Sequence, residues 1–229
     1  GGTQYGSSRN DVTFEVEESG PMRAVIRAES YCLFNSTTDH RHGFAVRIYA
    51  YAGKPYIKID YQLQNSAKNV EYSWPLYFEE LKLDFQLNLT AEPDISFGRG
   101  DGTEYTRNLH SGLRLAQEFH NNFKIYGPSS TPLEENTTVD GEGPDGYVNI
   151  DDGSHGVMAA IRYCWQTWPN GLAVDQDNKL SLQLFPNWSQ CYSQNDTDGL
   201  VPNPTGLYWL EDMQHHYKEM LFYFYTDGK

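Results

Sequence analysis

Positive charge is scarce in this chain: 17 Lys and Arg stand against 31 Asp and Glu, a net charge of −14. That balance argues against nucleic acid and anionic membrane surfaces as partners, because their phosphates would be repelled. No apolar run approaches the ~18 residues of a membrane-spanning helix, so no membrane partner is expected. Cysteine is equally sparse. Cys32, Cys164 and Cys191 allow at most one internal disulfide. Cys164 and Cys191 are nearest in sequence and form the candidate pair, although spacing does not decide among the three pairings. There is no GxSxG, P-loop, HExxH or dinucleotide fingerprint, so the reactions those motifs serve find no support. Heptads, helical repeats and linkers are missing too. The opening GGTQYGSSRN does not read as a secretory leader, so secretion would require a leader already removed.

What the chain does have is alternation. From Phe44 to Asn65, Phe44, Val46, Ile48 and Ala50 share one side of a first arm, and Ile57, Ile59, Tyr61 and Leu63 one side of a second. Gly53-Lys54-Pro55 turns between them. This long hairpin needs a larger sheet and a second covering layer. Leu81 to Thr90 repeats the pattern, with apolar residues at odd positions and Lys82, Asp84, Gln86 and Asn88 at even ones. Val12–Glu17, Met22–Glu29, Gly146–Ile150, Gly156–Trp165, Lys179–Phe185, Tyr208–Asp212 and His216–Tyr225 also read as strands. Leu109–Tyr126 fits a helix or strands, and Gly112 favours strands. Loops are expected over Asn35–His42, Gly98–Thr106, Pro128–Gly146 and Cys191–Pro204. The expected fold is all-β, a large two-layer antiparallel β-sandwich, in which a flexible arm (1–10) precedes a single domain (11–229).

Several constellations bear on chemistry. Five sequons fit N-x-S/T, at Asn35, Asn88, Asn136, Asn187 and Asn195, where composition alone gives roughly two. They point to an extracellular glycoprotein, or they are unmodified sequons in a bacterial protein. His40 and His42 bring no third ligand with them, and of His215 and His216 only one faces any given cleft. Glu134, Glu135, Asp140, Glu142 and Asp145, with Asp151 and Asp152, lack EF-hand spacing. Calcium is the one cofactor they admit, and no other metal or cofactor is expected. Aromatics are abundant, with 17 Tyr, 11 Phe and 5 Trp. Trp165 and Trp168 concentrate them in WQTWPNG. Such rings either stack on the apolar C–H faces of sugars or fill sheet faces.

Four segments carry a family resemblance: ESGPMRAVIRAE (18–29), RIYAYAGKPYIKIDYQLQN (47–65), GVMAAIRYCWQTWPNGL (156–172) and DMQHHYKEMLFYF (212–224). In this order they resemble the central sandwich of exo-acting rhamnogalacturonan lyase-like proteins, similar to galactose-mutarotase-like sandwiches. The resemblance implies a domain set between a barrel-like domain and an α/α toroid. It also implies a pectic substrate of alternating rhamnose and galacturonate, cut by β-elimination. That reaction needs cations for the uronate and a base for the adjacent proton, and an acidic chain without a helical array does not supply them plainly. No catalytic residue is carried over.

The function expected is therefore an extracellular sandwich that contributes scaffold and carbohydrate contact to pectin degradation and is not catalytic alone. Its partners would be carbohydrate, flanking domains or copies of itself. The alternative is a structural glycoprotein that self-assembles by strand addition.

Overall fold

The computed structural model describes residues 12–33, 40–65, 75–89, 92–108, 112–136, 143–187, 207–211 and 214–226. Every regular element among them is a strand, and the fold is all-β. The chain forms two compact units, Gly1–Tyr77 with Trp209–Met220, and Phe78–Tyr208 with Leu221–Lys229. The last division falls inside a strand rather than at a linker, so no shift in composition marks it.

In the first unit, β1 (Thr13–Ser19), β2 (Arg23–Leu33), β3 (His40–Tyr51) and β4 (Tyr56–Gln64) form an antiparallel meander. The first half of β17 (His215–Thr226) follows β4. The register sets Val16, Ile26, Ile48 and Ile59 in one cross-strand row. Burial deepens along it, from exposed Val16 and Ile26 through half-buried Ile48 to buried Ile59. The neighbouring row reads Glu15, Arg27, Arg47, Asp60, which alternation assigns to the opposite face. Although this is the polar face, Asp60 is only 7% exposed. Its charges face one another across the ladder, and this lets a polar face sink from solvent.

The second unit is the sandwich. One layer runs β17-β13-β12-β7-β8, using the second half of β17 with β13 (His155–Ile161), β12 (Tyr147–Asp151), β7 (Asp94–Gly98) and β8 (Glu104–Asn108). The other runs β11-β10-β9-β14-β15-β6, with β11 (Pro132–Asn136), β10 (Asn122–Tyr126), β9 (Leu113–Phe119), β14 (Gly171–Val174), β15 (Lys179–Phe185) and β6 (Leu81–Gln86). Ile125, Leu115, Leu172, Leu182 and Leu83 line up across this layer. Phe97, Val148 and Ala159 do the same across the other. The rings of Phe85 and Phe222, one from each layer, meet at 4.7 Å. Each fully buried aliphatic or aromatic side chain contributes about 1.5–3 kcal/mol. A separate two-stranded ribbon pairs β5 (Leu76–Phe78) with β16 (Tyr208–Leu210).

Several boundaries depart from the sequence reading. The strand expected to run to Trp165 ends at Ile161, because Tyr163 takes a φ of 54° and Thr167 N donates back to Tyr163 O at 2.9 Å. The strand expected to reach Thr90 stops at Gln86, where Leu87 N bonds Asn178 O instead. Of the loop expected over Gly98–Thr106, only residues 99–103 turn; Gly98 ends β7 and Glu104 begins β8, and the two strands form a hairpin. The loop of Pro128–Gly146 contains β11, which pairs with β10. β3 begins at His40, inside the expected polar loop. The sequence reading omitted β14, which is only four residues long and shows no clean alternation.

Candidate functional site

The polar frame of the sandwich rim comes from residues that sequence patterning does not single out. Asn170 and Gln117 are fully buried. The Asn170 amide nitrogen donates to Cys164 O at 2.8 Å and Thr167 O at 3.0 Å, and reaches Gln117 Oε1 at 3.4 Å. Gln117 N in turn bonds Asn170 O at 2.9 Å, and Gln117 Nε2 donates to Trp165 O at 3.3 Å. These bonds fix the turn 162–170 on the end of β9, as buried polar networks do when their members are satisfied. The Trp168-Pro169 peptide is cis.

This turn presents aromatic rings outward. Tyr163 is 56% exposed and Trp165 47%. Trp168 is half-buried and stacks on Phe119, centroids 4.8 Å apart. Arg162 lies over the Tyr163 ring at 4.7 Å and donates to its hydroxyl at 3.0 Å. Of the two tryptophans named from sequence, then, Trp165 offers the open face and Trp168 anchors the turn. Tyr163 and Arg162 went unnoticed because they read as the end of a strand. The signal was there in the run Arg-Tyr-Cys-Trp, too polar and aromatic for a buried strand end.

Other sequence-named residues lie apart from this turn. Cys164 is buried, its Sγ 3.6 Å from Gln117 Oε1; Cys191 lies outside the described residues, and so does the pairing. Asn88 is exposed just beyond β6, while Asn136 and Asn187 are half-buried. Asn136 ends β11, paired with Phe123, and not in a loop as expected. Asn35 and Asn195 lie outside the described residues, as do Asp140, Glu142 and the arm. Glu134 pairs with Arg99, Asp145 accepts from Gly100 N, and Asp151 and Asp152 accept backbone N–H groups of 153–155. Among the described residues no group of three His, Cys, Asp or Glu is placed to hold a metal ion.

A second polar cluster occupies the sheet of the first unit. Lys58 Nζ stands 3.2 Å from Asp60 Oδ1 and 3.1 Å from Glu219 Oε2, and 4.7 Å from the centre of the Tyr49 ring. Arg47 holds Glu17 through bonds of 2.8 and 3.0 Å. The Tyr217 hydroxyl is pushed well above its ordinary value, first by burial, then by its hydrogen bond to Asp60 and the charge there. Burial and Asp60 raise Tyr49 in the same order. The pattern Arg-x-Tyr and Lys-x-Asp across the hairpin already placed these groups on one side.

His216, on the next face of β17, is pushed down from 6.5 to about 4, first by burial and then by the charges of Lys218 and His215. A histidine whose pKa falls on folding is protonated first in the unfolded chain. Between pH 6.5 and about 4 the unfolded state therefore binds more protons, and stability drops as pH falls through that window. The thermal midpoint followed by circular dichroism is expected to fall across it, and less steeply in His216→Gln. Equal slopes in the two proteins would sink this assignment.

No protein-family model matches the chain, and no curated protein matches it. Solved structures do. A GH36 α-galactosidase from Geobacillus stearothermophilus, in complex with stachyose, is 12% identical with a TM-score of 0.52, over 97% of this chain and 29% of that one. A presumed aldose 1-epimerase from Klebsiella pneumoniae is 12% identical with a TM-score of 0.50, over 97% of this chain and 57% of that one. This chain thus spans less than two thirds of either. At such identity the likeness is one of fold, the mutarotase-like β-sandwich.

Proposed function

We propose that this chain is the carbohydrate-contacting sandwich of a secreted, rhamnogalacturonan lyase-like protein, a scaffold that is not catalytic by itself. The observation that carries the reading is the exposed Trp165 and Tyr163 pair on a turn braced by buried amides. Rings held rigidly at a rim offer sugars an apolar face without a further ordering cost. The α-galactosidase that shares the fold was solved with a sugar, which supports the class of ligand. The charges of the first unit support scaffold over catalyst. Arg47 and Lys58 are both engaged by carboxylates, leaving neither free to neutralise a uronate. The Tyr217 hydroxyl, pushed up first by burial and then by Asp60, keeps its proton and offers no ready base.

Titration calorimetry with rhamnogalacturonan oligosaccharides tests the reading. Trp165→Ala is expected to weaken binding about tenfold, the loss of one stacking contact, with the thermal midpoint unchanged. Undiminished binding in that variant, or release of unsaturated uronates by the chain alone, would overturn it.

A further inference from the structure

The sheet of the first unit leaves its apolar side open where β1 and β2 form its edge. The registers put Phe14 and Val16 of β1 on the same side as Ala24, Ile26 and Ala28 of β2. Ala52 N donates to Met22 O at 3.0 Å, so pairing with β3 continues through Met22, and alternation adds it to that side. Phe14 is 74% exposed, Val16 64%, Met22 75% and Ile26 43%. With roughly 150–200 Å² of surface per large apolar side chain, the four leave on the order of 400–500 Å² of neighbouring apolar surface in water.

Charge and shape decide what could cover it. Over residues 14–19, 24–28 and 46–50 no charged side chain falls on this side. Glu17, Glu18 and Glu29 stand on the other, paired with Arg47, Arg23 and Arg27. A sugar or a basic partner finds no side chain to bond here except Ser19 at one corner. A second copy of the chain meets neither obstacle. Each copy carries a net charge of −14, and two such chains repel least through a side that bears no charge. The rows also alternate in bulk: Phe14 lies beside Ala28 and Ala24 beside Ala50, with Val16 and Ile26 in the row between. A patch that holds both bumps and hollows is able to complement itself about a two-fold axis. Two copies would cover roughly 900 Å² of apolar surface, the apolar share of a standard interface of about 1,600 Å².

We propose that two copies of this chain pack face to face through the open apolar side of β1 and β2, with Phe14 and Ile26 in the contact. This dimer is independent of the carbohydrate reading and uses neither the aromatic turn nor the backbone edge of β1. Sedimentation velocity and light scattering on the full chain, at about 1–100 µM, test it. A dimer is expected within that range, tightened as added salt screens the repulsion between acidic copies. Phe14→Glu and Ile26→Glu are each expected to weaken it at least about tenfold with the circular dichroism spectrum unchanged. Glu15→Gln, on the other side of β1, leaves it intact. Should Ile26→Glu fail to fold, Met22→Glu, in the turn that joins β1 and β2, takes its place. Strand addition at the edge of β1 would spare Ile26 and Met22, and a face reserved for a different partner would leave the purified chain monomeric. A chain monomeric throughout the range, a dimer loosened by salt, or a dimer that resists both Ile26→Glu and Met22→Glu therefore overturns the proposal.

Discussion

Asn170→Ala is expected to lower the unfolding free energy by about 2–4 kcal/mol, as one to two buried hydrogen-bonding groups lose their partner, and to abolish binding at the aromatic turn. The residue is fully buried, so the second effect cannot come from lost contact with sugar. Its amide nitrogen is shared among Cys164 O, Thr167 O and Gln117 Oε1. Removing it strips a donor from the buried Cys164 carbonyl and the part-buried Thr167 carbonyl, and also empties the volume of the amide. Trp165 would then be held by the bond from Gln117 Nε2, from a side chain that has itself lost a neighbour. Urea unfolding followed by tryptophan fluorescence measures the first effect and calorimetry the second. Asn170→Asp sharpens the test: it keeps the shape but puts an acceptor where three acceptors already point, and should cost at least as much. A loss below about 1 kcal/mol in either variant, the value of one ordinary hydrogen bond, would show that the turn is held some other way.

How much of this was legible from sequence differs between core and rim. The hairpin of β3 and β4 was plain, because apolar residues at every second position fix the face each arm buries, and the turn at Gly53–Pro55 sets the register that pairs Ile48 with Ile59. Lys179–Phe185 was equally plain and matches β15. Where a strand is buried on both faces, as in Gly171–Val174, alternation vanishes and composition alone does not separate it from a loop. The Asp175–Asn178 turn was legible through its residue types: Asp175 accepts from Asp177 N and Lys179 N, and Asn178 takes a φ of 58°. At the site the tryptophans were visible and their support was not. Gln117 and Asn170 are distant in sequence, and nothing local in either neighbourhood says that their amides meet. The ion-paired face was half legible. Alternation placed Arg47, Lys58 and Asp60 together, but only the fold shows that Glu17 and Glu219 arrive from other strands to pair with them.

Gly146→Ala should be the other severe lesion, at about 2–4 kcal/mol, the sum of a left-handed backbone cost and local overpacking. Gly146 has a φ of +81°, and a Cβ there would stand 2.2 Å from Cys164 Cβ, 3.0 Å from its Sγ and 3.2 Å from Ile161 O. The backbone has little freedom to retreat, because Gly146 O accepts from Ile161 N at 2.9 Å while Asp145 N bonds Gly98 O. Gly153 separates the two contributions. Its φ is +86°, yet nothing lies within 4 Å of where a Cβ would stand, so Gly153→Ala bears the backbone cost alone, about 1 kcal/mol. The difference between the two variants in urea unfolding then reads the clash with Cys164 directly. Because Cys164 O is one of the oxygens that hold Asn170, a shift of Cys164 also disturbs the frame of the aromatic turn, and Gly146→Ala should weaken sugar binding where Gly153→Ala does not. Equal losses of stability in the two alanine variants would mean that the strand entering at Tyr147 can move away from the turn, and that the rim is softer than its hydrogen bonds imply.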